Sequence, residues 1–524
     1  MNTLRRKGMT AGFIGGLVVA AMPHLTSPIQ ATAASSHDRV LSRAQLLDKI
    51  RGGWAGQMIG VAYGAKTEFR SNGAIGEWDL PWTPDMIDNT LHQDDLYVEM
   101  TFAKVMDTVG LEATCEQYGE AFKNSQYSLW HANAGARRIL NQGIRAPWSG
   151  HPKYNIHAND IDFQIEADFI GLMCPGLPRE ANRYADRVGR VMNYGDGLYG
   201  GMFVGGMYAA AYFESDPRRV VEAGLACIPS KSEYGLLIRD LLDGSAQYPG
   251  DWRRVWKMIE DKWDKNDPCP DGALAAFNID AKLNGAYIAF GLLFGAGDFE
   301  KTMEISTRCG QDSDCNPSSA AGVLGVLLGY ERIPNRFTST LPKLENKKFD
   351  FTDYSFNDIV RSTEARAIQV IRKAGGEVTD TRVVVPRQSP RAPRLEQWSP
   401  GIPVQRLAAS DPAWQFQGEW KTEKDARISL KAGNEATLRF EGVAVALIGQ
   451  LDQNGGRADV YLDGKRIALA DAYIVPRTYD NALWHVYGLK NGPHTVRLVS
   501  RADADFRSGG RKVGLTGAVI YRQP

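Results

Sequence analysis

Residues 52–69 of this 524-residue chain read GGWAGQMIGVAYGAKTEF. A helix would carry four of these glycines on one face, because they are spaced by four residues: Gly52, Gly56, Gly60 and Gly64. Each glycine inside a helix costs roughly 1 kcal/mol relative to alanine, so the compensation must come from close approach of a second helix. Gln57 and Tyr63 interrupt any lipid-facing run. The stretch therefore predicts close packing within a helical bundle.

Helical periodicity extends over most of the chain. Apolar residues recur at three- and four-residue spacing in Leu91–Val109, Glu180–Met192, Gly201–Phe213 and Phe356–Lys373. We predict an all-α domain over residues 41–375. Residues 376–403 lack this period and contain Pro386, Pro390, Pro393 and Pro400, which is typical of a linker.

The remaining residues, 404–524, have the pattern of a β domain. Short runs rich in Val, Leu, Thr and Ala alternate with turn signals such as Asp463-Gly464 and Asn491-Gly492-Pro493. The predicted strands are Glu435–Phe440, Val443–Ile448, Ala458–Leu462, Thr495–Val499 and Val513–Tyr521. This spacing predicts a β-sandwich of the jelly-roll kind, so the fold class is multidomain, α then β.

The first residues have the features of an export signal. A basic start, Arg5-Arg6-Lys7, precedes the apolar run Met9–Met22 and the small residues Ala31-Thr32-Ala33. We predict a signal peptide over residues 1–33 and a secreted or periplasmic protein. The run is too short to span a membrane, and no later stretch qualifies. The six cysteines allow up to three disulfides outside the cytoplasm, and none has the spacing of a zinc site.

Charge and composition exclude several classes of protein. Lys and Arg number 61 and Asp and Glu number 61, so the formal net charge is zero, which argues against a nucleic-acid or anionic-membrane partner. Hydrophobic residues make up 43% and aromatic residues 10% of the chain, enough apolar surface for a folded core.

Two acidic pairs stand out, each at the start of a predicted helix. They are Gln93-Asp94-Asp95 and Asp312-Ser313-Asp314. Either pair alone is explained by the helix dipole, which favours carboxylates in the first turn. If the two helices are neighbours, four carboxylates converge and repel one another unless cations lie between them. Mg²⁺ or Ca²⁺ suits such an all-oxygen set, and one or two ions could orient a diol and a water molecule.

Three motifs resemble one known family. Gly56–Phe69 resembles Gly-x-x-x-Gly-Asp-Ala-x-Gly-x-x-x-Glu, Gln93-Asp94-Asp95 resembles Thr-Asp-Asp-Thr, and Gly310–Asp314 resembles Gly-Asp-x-Asp-Thr, with Ile333-Pro334 beyond it. These are the motifs of the ADP-ribosylglycohydrolase family, in the same order, over about residues 45–340. The resemblance implies an orthogonal helical bundle with a binuclear magnesium site and hydrolysis of the glycosidic bond at C1″ of ADP-ribose.

The resemblance also implies residue roles. Asp94, Asp95, Asp312 and Asp314 match the metal ligands, and Glu68 matches a glutamate beside the metals that acts as an acid/base or gate. Glu68, Asp94, Asp95 and Asp312 are the expected catalytic residues. Leu96, Val61 and Cys315 depart from the family pattern. Because a thiol is a poor Mg²⁺ ligand, these departures leave open a reduced metal shell, a Cys309–Cys315 disulfide, or metal-free acid/base use of the carboxylates.

A second group of polar residues is expected to bind substrate, although caps and turns explain them equally well. The group consists of Gln93, Glu166, Asp168, Asn193, Asp196, Gln311 and Asn316.

The β region resembles galactose-binding-like jelly rolls appended to secreted glycosidases, through Phe440–Gly449, Val460–Lys465 and Gly488–Val496. Together with the expected export, this favours a secreted glycoside hydrolase acting on a furanosyl-type sugar in a glycan. An ADP-ribosyl-acceptor hydrolase and a non-catalytic carbohydrate-binding protein are the alternatives. Whether the β domain binds sugar or only packs against the helical domain stays open, as does the oligomeric state.

Overall fold

The computed structural model describes residues 39–264, 267–476 and 478–523, except for the side chains of residues 478–480. The predicted signal peptide therefore lies outside the described residues. Sixteen α-helices occupy the described part of the first region: α1 (Arg43–Gly64), α2 (Asp94–Thr108), α3 (Cys115–Lys123), α4 (His131–Asn141), α5 (Asp162–Ile165), α6 (Asp168–Leu172), α7 (Pro178–Gly189), α8 (Asp196–Ala211), α9 (Pro217–Leu225), α10 (Glu233–Gln247), α11 (Trp252–Trp263), α12 (Ala281–Gly295), α13 (Phe299–Arg308), α14 (Cys315–Leu328), α15 (Asn335–Thr338) and α16 (Phe356–Lys373).

Strands follow the helices, apart from one that precedes them. They are β1 (Arg39–Ser42), β2 (Glu377–Val378), β3 (Arg382–Val385), β4 (Ile402–Ala408), β5 (Trp414–Gln417), β6 (Lys421–Glu423), β7 (Ala426–Ser429), β8 (Glu435–Gly442), β9 (Ala444–Leu451), β10 (Gly456–Leu462), β11 (Lys465–Asp471), β12 (Thr478–Val486), β13 (Gly492–Ala504) and β14 (Val513–Arg522). The predicted order, helices and then an antiparallel β region, is confirmed.

The stretch predicted as a linker begins with secondary structure. Strands β2 and β3 pair with each other, and β3 pairs antiparallel with β1, so a three-stranded sheet joins both ends of the helical region. Val383 and Val385 of β3 are fully buried in the core of that region. The pairing partners are about 340 residues apart in the chain, and this is why a local pattern did not predict the sheet.

The central helices α8, α12 and α14 are buried along almost their whole length. Outer helices such as α7 and α11 bury only some of their residues.

Helices α1 and α14 pack along the glycine face predicted for α1. A Cβ atom added at Gly56 would lie 2.2 Å from the Ala321 carbonyl oxygen, and one at Gly60 would lie 2.2 Å from that of Pro317. The two backbones are therefore in direct contact, as the spacing of the glycines predicts.

The β region consists of two antiparallel sheets packed face to face. One has the strand order β11-β10-β13-β8-β5, and the other has the order β12-β9-β14-β7-β6 with β4 beside β14. Leu438 and Val496 of the first sheet share one buried cluster with Leu447 and Leu515 of the second. Strands β8 and β10 alternate buried and more exposed residues, which is the pattern of a sandwich. Strands β9 and β14 are buried along both faces.

Two sequence expectations concern cysteines and membranes. The six cysteines of the chain, which all lie among the described residues, are free thiols, so the Cys309–Cys315 bridge does not form here. Within the described ranges, no helix has both the length and the apolar character required to cross a bilayer.

Candidate functional site

The first part of the site lies where the end of α1 contacts the residues just before α14. A Cβ atom at Gly64 would lie 2.1 Å from the Ser313 carbonyl oxygen. The Thr67 hydroxyl bonds both the Gly64 carbonyl and the Ser313 hydroxyl, each at 2.8 Å. The residues that follow α1 are therefore held directly against the loop that carries Asp312 and Asp314.

Two backbone hydrogen bonds complete this junction. The Phe69 N–H donates to the Gln311 carbonyl at 3.0 Å, and the Gln311 N–H donates to the Ser71 carbonyl at 2.9 Å. Gly310 has φ +90°, and a Cβ there would lie 2.1 Å from the Ser71 oxygen, so only glycine fits. Glu68 is thereby brought beside the second acidic pair.

The first acidic pair enters from the start of α2. Asp94 is the first residue of α2 and its Oδ1 accepts a hydrogen bond from the Asp95 N–H at 3.2 Å. Asp95 is 1% exposed, and neither of its carboxylate oxygens has a hydrogen-bond partner in the described part of the chain.

The pKa values show that the carboxylates share one poorly solvated volume. Burial raises the pKa of Asp95 well above its usual range, and Asp94, Asp314 and Asp312 raise it further. Burial and the nearby Glu68 raise the pKa of Asp312 to about 7. These are the directions expected when like charges are brought together away from water. The predicted convergence of carboxylates from three remote segments is present in the structure.

Glu68 differs from the aspartates because it is an exposed residue that lines the adjacent cavity. Its pKa is nevertheless raised to about 8, since the surrounding protein desolvates the carboxylate and Asp314 and Asp94 lie nearby, while His131 acts in the opposite direction. Glu68 is thus disposed to hold a proton near neutral pH.

The cavity beside these carboxylates has a volume of about 260 Å³, smaller than the roughly 300–1,000 Å³ of pockets for drug-sized ligands. Its polar wall includes three of the predicted acids, whereas Asp95 and Asp314 lie outside the lining. The lining residues are Glu68, Phe69, His92, Gln93, Asp94, Tyr97, Leu129, Trp130, His131, Asn133, Ile161, Asp162, Ile165, Ile279, Asp312 and Cys315.

The buried carboxylates suit a hard divalent cation. Oδ1 of Asp312 and Oδ1 of Asp314 are buried and, like both oxygens of Asp95, have no hydrogen-bond partner in the described ranges. One oxygen from Asp312, one from Asp314 and the Cys315 sulfur lie within 4.8 Å of one another. Unpaired buried carboxylates are costly unless a cation or shared protons compensate them, and an oxygen-rich set is what Mg²⁺ or Ca²⁺ requires. The residues present therefore fit the ion that the family pattern implies.

The structure distributes the predicted substrate-binding residues over several places. Gln93 lines the cavity. Gln311 lies behind it, where its side chain accepts from the Asn278 N–H and donates to the Ala276 carbonyl. Asn316 is buried and donates to the Asn284 side chain at 2.9 Å.

Two of the predicted acids lie one layer deeper. Glu166 is buried and accepts a hydrogen bond from Asn133, a residue of the cavity wall. Asp168 accepts a hydrogen bond from the Ser319 hydroxyl at 3.2 Å, and its charge contributes to the raised pKa values of Asp95 and Glu99. Both can act on the cavity only through the residues in front of them.

Asn193 and Asp196 are not brought to this cavity. The Asn193 amide donates to the Ala158 and Asp160 carbonyls and so holds a loop. Asp196 begins α8, accepts from the Tyr234 N–H, and lines a separate cavity together with Lys282. Their polar character reflects turn formation and helix starts rather than contact with the carboxylate cluster.

The structure adds cavity residues that sequence reasoning missed. Asp162 accepts hydrogen bonds from the N–H groups of Ala132 and Asn133 at the start of α4. This places His131 and Asn133 in the cavity wall. The only sequence signal was a polar His-Ala-Asn start to an amphipathic helix, and that signal does not reveal which cavity the helix approaches.

The fold and the site together define a helical domain with a buried carboxylate cluster at converging helix ends, followed by a β-sandwich. The sequence profile of the ADP-ribosylglycohydrolase family matches residues 42–368, more than half of the chain. The chain belongs to this family.

Curated relatives match a much shorter stretch. An A type blood alpha-D-galactosamine galactosaminidase of Flavonifractor plautii is 40% identical over 94 residues, which is 17% of this chain and 9% of that protein. An A type blood N-acetyl-alpha-D-galactosamine deacetylase of the same organism is 31% identical over 96 residues, 17% of this chain and 12% of that protein. The chain thus spans only about a tenth of the length of these relatives.

Among solved structures, the chain is similar to an ADP-ribosylglycohydrolase-related protein complex. The identity is 18% and the TM-score is 0.38, with coverage of 63% of this chain and 99% of that chain. A CBM36-1 domain of a multidomain xylanase matches 22% of this chain at 12% identity and a TM-score of 0.16.

Proposed function

We propose that this protein is a glycoside hydrolase that cleaves a furanosyl-type sugar from a glycan, assisted by one or two Mg²⁺ ions. The observation that carries the proposal is the convergence of five carboxylates from three remote segments: Glu68, Asp94 and Asp312 line one cavity, and Asp95 and Asp314 lie close to these acids outside the lining. Four of them would hold the cation: Asp94, Asp95, Asp312 and Asp314. The bound cation would supply charge that orients a sugar diol and favours the ionised form of a water molecule.

The protein's own residues supply the proton chemistry. Glu68 lines the cavity, and desolvation by the surrounding protein is the largest cause of its raised pKa, so a protonated Glu68 can donate its Oε–H to the leaving oxygen of the glycosidic bond. Gln93 and Asn133 provide amide groups for sugar hydroxyls, and the aromatic faces of Tyr97 and Trp130 form part of the wall. Such a mixture of apolar walls and few polar groups orients a small ligand.

The cavity favours a neutral sugar over an ADP-ribosyl group. Among its lining residues, none is a lysine or arginine, and its basic side chains are the histidines His92 and His131. A pyrophosphate is normally recognised by basic side chains or a helix N-terminus with free N–H groups. The N–H groups at the start of α4 already donate to Asp162. Hydrolysis of an ADP-ribosyl linkage is therefore the second candidate, supported by family membership.

The glycan assignment is also supported by two features outside the cavity. The curated relatives that match part of this chain are named for action on a blood-group amino sugar.

We further propose that the protein is exported, on the basis of the signal-like residues 1–33, and export is the second feature that favours a glycan substrate. Mature N-terminal sequencing of protein from culture medium or periplasm tests this, and an uncleaved cytoplasmic product would refute it.

The decisive experiment compares the two substrates with the same enzyme. We expect release of reducing sugar from a furanosyl-containing glycan panel, loss of that release in EDTA, and recovery with Mg²⁺. Asp312→Asn should lower kcat/KM by at least about 100-fold. Glu260→Gln is the matched control, because Glu260 is another buried acid but bonds Tyr287, outside the cavity lining.

Three other outcomes would reject the proposal in distinct ways. Release of ADP-ribose from modified protein, without sugar release, would establish the second candidate. Glycan binding without turnover would establish a non-catalytic binder. Turnover that is insensitive to EDTA but abolished by Asp312→Asn would show metal-free use of the carboxylates.

A further inference from the structure

A second cluster of metal-binding side chains lies beside the carboxylate cluster and has a different chemistry. It consists of His131, His157, Cys269 and Asp271, each of which offers one donor atom within 4.8 Å of the others. His131 begins α4, His157 belongs to the loop before α5, and the other two precede α12. The spacing in sequence follows no zinc motif, so sequence analysis predicted no such site.

The hydrogen bonds within the cluster leave one buried nitrogen without a partner. His157 is 1% exposed, and its Nδ1 forms a hydrogen bond with Asp160 Oδ2 at 2.8 Å. Its Nε2 has no hydrogen-bond partner anywhere in the described part of the chain. An imidazole oriented by a carboxylate through one nitrogen and free at the other has the arrangement of a metal-ligating histidine.

The remaining donors bring the number of available ligands to four, which is the number that structural Zn²⁺ sites use. Cys269 Sγ lies beside the His157–Asp160 pair, 3.3 Å from His157 Nδ1 and 3.1 Å from Asp160 Oδ2, and one donor atom of each of the four residues lies within 4.8 Å of the others. His131 Nδ1 lies 2.9 Å from Asp271 Oδ2. Two imidazoles, a thiol and a carboxylate suit Zn²⁺, whereas Mg²⁺ strongly prefers oxygen ligands.

We propose that these four side chains form a Zn²⁺ site, distinct from the Mg²⁺ site expected at Asp94, Asp95, Asp312 and Asp314. The ion would replace the His131–Asp271 contact and deprotonate the Cys269 thiol. Since four protein ligands leave no open position, the role is structural.

The position of the cluster explains what such an ion would stabilise. His131 forms part of the cavity wall. The segment that carries Cys269 and Asp271 also contacts the β region. Arg406 donates a hydrogen bond to the Pro270 carbonyl, and the Tyr521 hydroxyl donates one to the Pro268 carbonyl at 2.9 Å. A Zn²⁺ ion would therefore fix one wall of the cavity to the segment on which the β-sandwich rests.

The test is substitution with Co²⁺, whose spectrum reports both thiolate ligation and geometry. The full-length mature protein is stripped of metal, kept reduced, saturated with Mg²⁺ and titrated with Co²⁺. We expect about one equivalent to bind with tetrahedral d–d bands and a thiolate-to-cobalt charge-transfer band, and Zn²⁺ to displace it. Absence of the charge-transfer band in the wild-type protein would overturn the proposal.

Two matched cysteine variants identify which thiolate ligates the Co²⁺ ion. Cys269→Ser should remove the charge-transfer band, whereas Cys315→Ser, which alters the thiol beside Asp312 and Asp314, should retain it. The reverse pattern would place the soft metal at the carboxylate cluster and refute the second site. Cys269 lies in a buried segment, so His157→Gln provides a second readout that does not depend on folding of the cysteine variant. It should weaken Co²⁺ binding at least about 10-fold, and unchanged affinity would refute the site.

Discussion

Asp95 is a residue of the candidate site whose burial destabilises the folded protein when no metal is bound. It is almost fully buried, its carboxylate oxygens have no hydrogen-bond partner in the described ranges, and burial together with four further aspartates raises its pKa. A buried charge with no partner normally destabilises a protein by several kcal/mol. Its presence is understandable if a cation provides the compensation, so that the protein gives up stability in the metal-free state for a functional site.

The first prediction follows from this cost. Asp95→Asn replaces, without changing its size, a carboxyl group whose raised pKa destabilises the folded state at pH values above its ordinary pKa. The metal-free protein should therefore become more stable at neutral pH, by about 1–3 kcal/mol. Mg²⁺ should raise the melting temperature of the wild-type protein, because it binds only the folded state, and this increase should be much smaller in the variant. Thermal unfolding followed by circular dichroism, in EDTA and in Mg²⁺, measures both effects.

A paired surface aspartate provides the control for that measurement. Asp358 bonds Lys348, Arg361 and Ser355, and the bonds to Lys348 and Ser355 lower its pKa. Asp358→Asn should therefore leave stability unchanged or lower it, and the Mg²⁺ response should be that of the wild type. A less stable Asp95→Asn protein with a full Mg²⁺ response would contradict the idea of a compensating cation.

Sequence reasoning located the acidic residues of the site but not all of its walls. Asp94, Asp95 and Asp312 were predictable because carboxylates at helix starts form short local motifs. His131 and Asn133 were not, because their position depends on Asp162 capping α4 through a tertiary contact. The polar, glycine-containing stretch Asn193-Tyr194-Gly195-Asp196 indicates a turn but not the cavity that the turn approaches, which is why Asn193 was expected at a site that it does not reach.

At the scale of elements, the contact between α1 and α14 positions the site. The glycine face of α1 allows its backbone to touch that of α14 from Gly52, near Gly325, to Gly64, near Ser313. The last of these contacts lies directly beside Asp314. Any increase in the distance between the two helices would therefore separate Glu68 from the second acidic pair.

The second prediction tests this close approach with two alanine substitutions. In Gly60→Ala the new methyl group would lie 2.2 Å from the Pro317 carbonyl oxygen, so the helices must separate, at a cost of about 1–3 kcal/mol. Gly205, also a buried helical glycine, has its nearest atom 3.8 Å away. Gly205→Ala should therefore stabilise the protein by up to about 1 kcal/mol, because alanine is the better helix former.

Chemical denaturation measures the free energy of unfolding of both variants. The two substitutions add the same methyl group to a buried helix and should shift stability in opposite directions. Equal effects would show that helix propensity, and not contact between α1 and α14, determines the cost at Gly60. Hydrolytic activity should fall with Gly60→Ala and not with Gly205→Ala.

The extent to which elements were predictable follows from their periodicity. Helix α16 has an amphipathic pattern, and its predicted bounds agree with the structure. The predicted helix Leu91–Val109 overlaps the end of a 3-10 helix, Pro84–His92, and α2 begins only at Asp94. The β1–β3 pairing involves residues from opposite ends of the helical region, and no local pattern encodes such a contact.

At the scale of the whole molecule, the helical and β regions share a buried interface. Ile156 and Ala273 of the helical region lie in one apolar cluster with Ala446, Val519 and Tyr521 of the β region. Buried polar contacts accompany it: Arg138 donates to the Leu483 carbonyl at 2.7 Å, and His485 donates to that of Pro152 at 2.6 Å. Such an interface resembles the core of one domain more than a flexible junction.

The last prediction is that the β region stabilises the helical region. Tyr521 is fully buried, packs in the shared cluster and donates its hydroxyl to Pro268 in the segment before α12. Tyr521→Ala should destabilise the protein by about 3 kcal/mol or more. The far-ultraviolet helical signal and the fluorescence of the tryptophans should then lose their folded values together, at a lower temperature than in the wild type.

Phe506→Ala is the control for this experiment, because Phe506 is an aromatic residue of the β region that is 93% exposed. It should leave the melting temperature within about 1 °C of the wild-type value, since surface substitutions rarely exceed about 0.5 kcal/mol. If Tyr521→Ala instead produced an early transition without loss of helical signal, the two regions would unfold independently. The β-sandwich would then contribute nothing to the stability of the carboxylate site, because the helical region would hold its cavity without it.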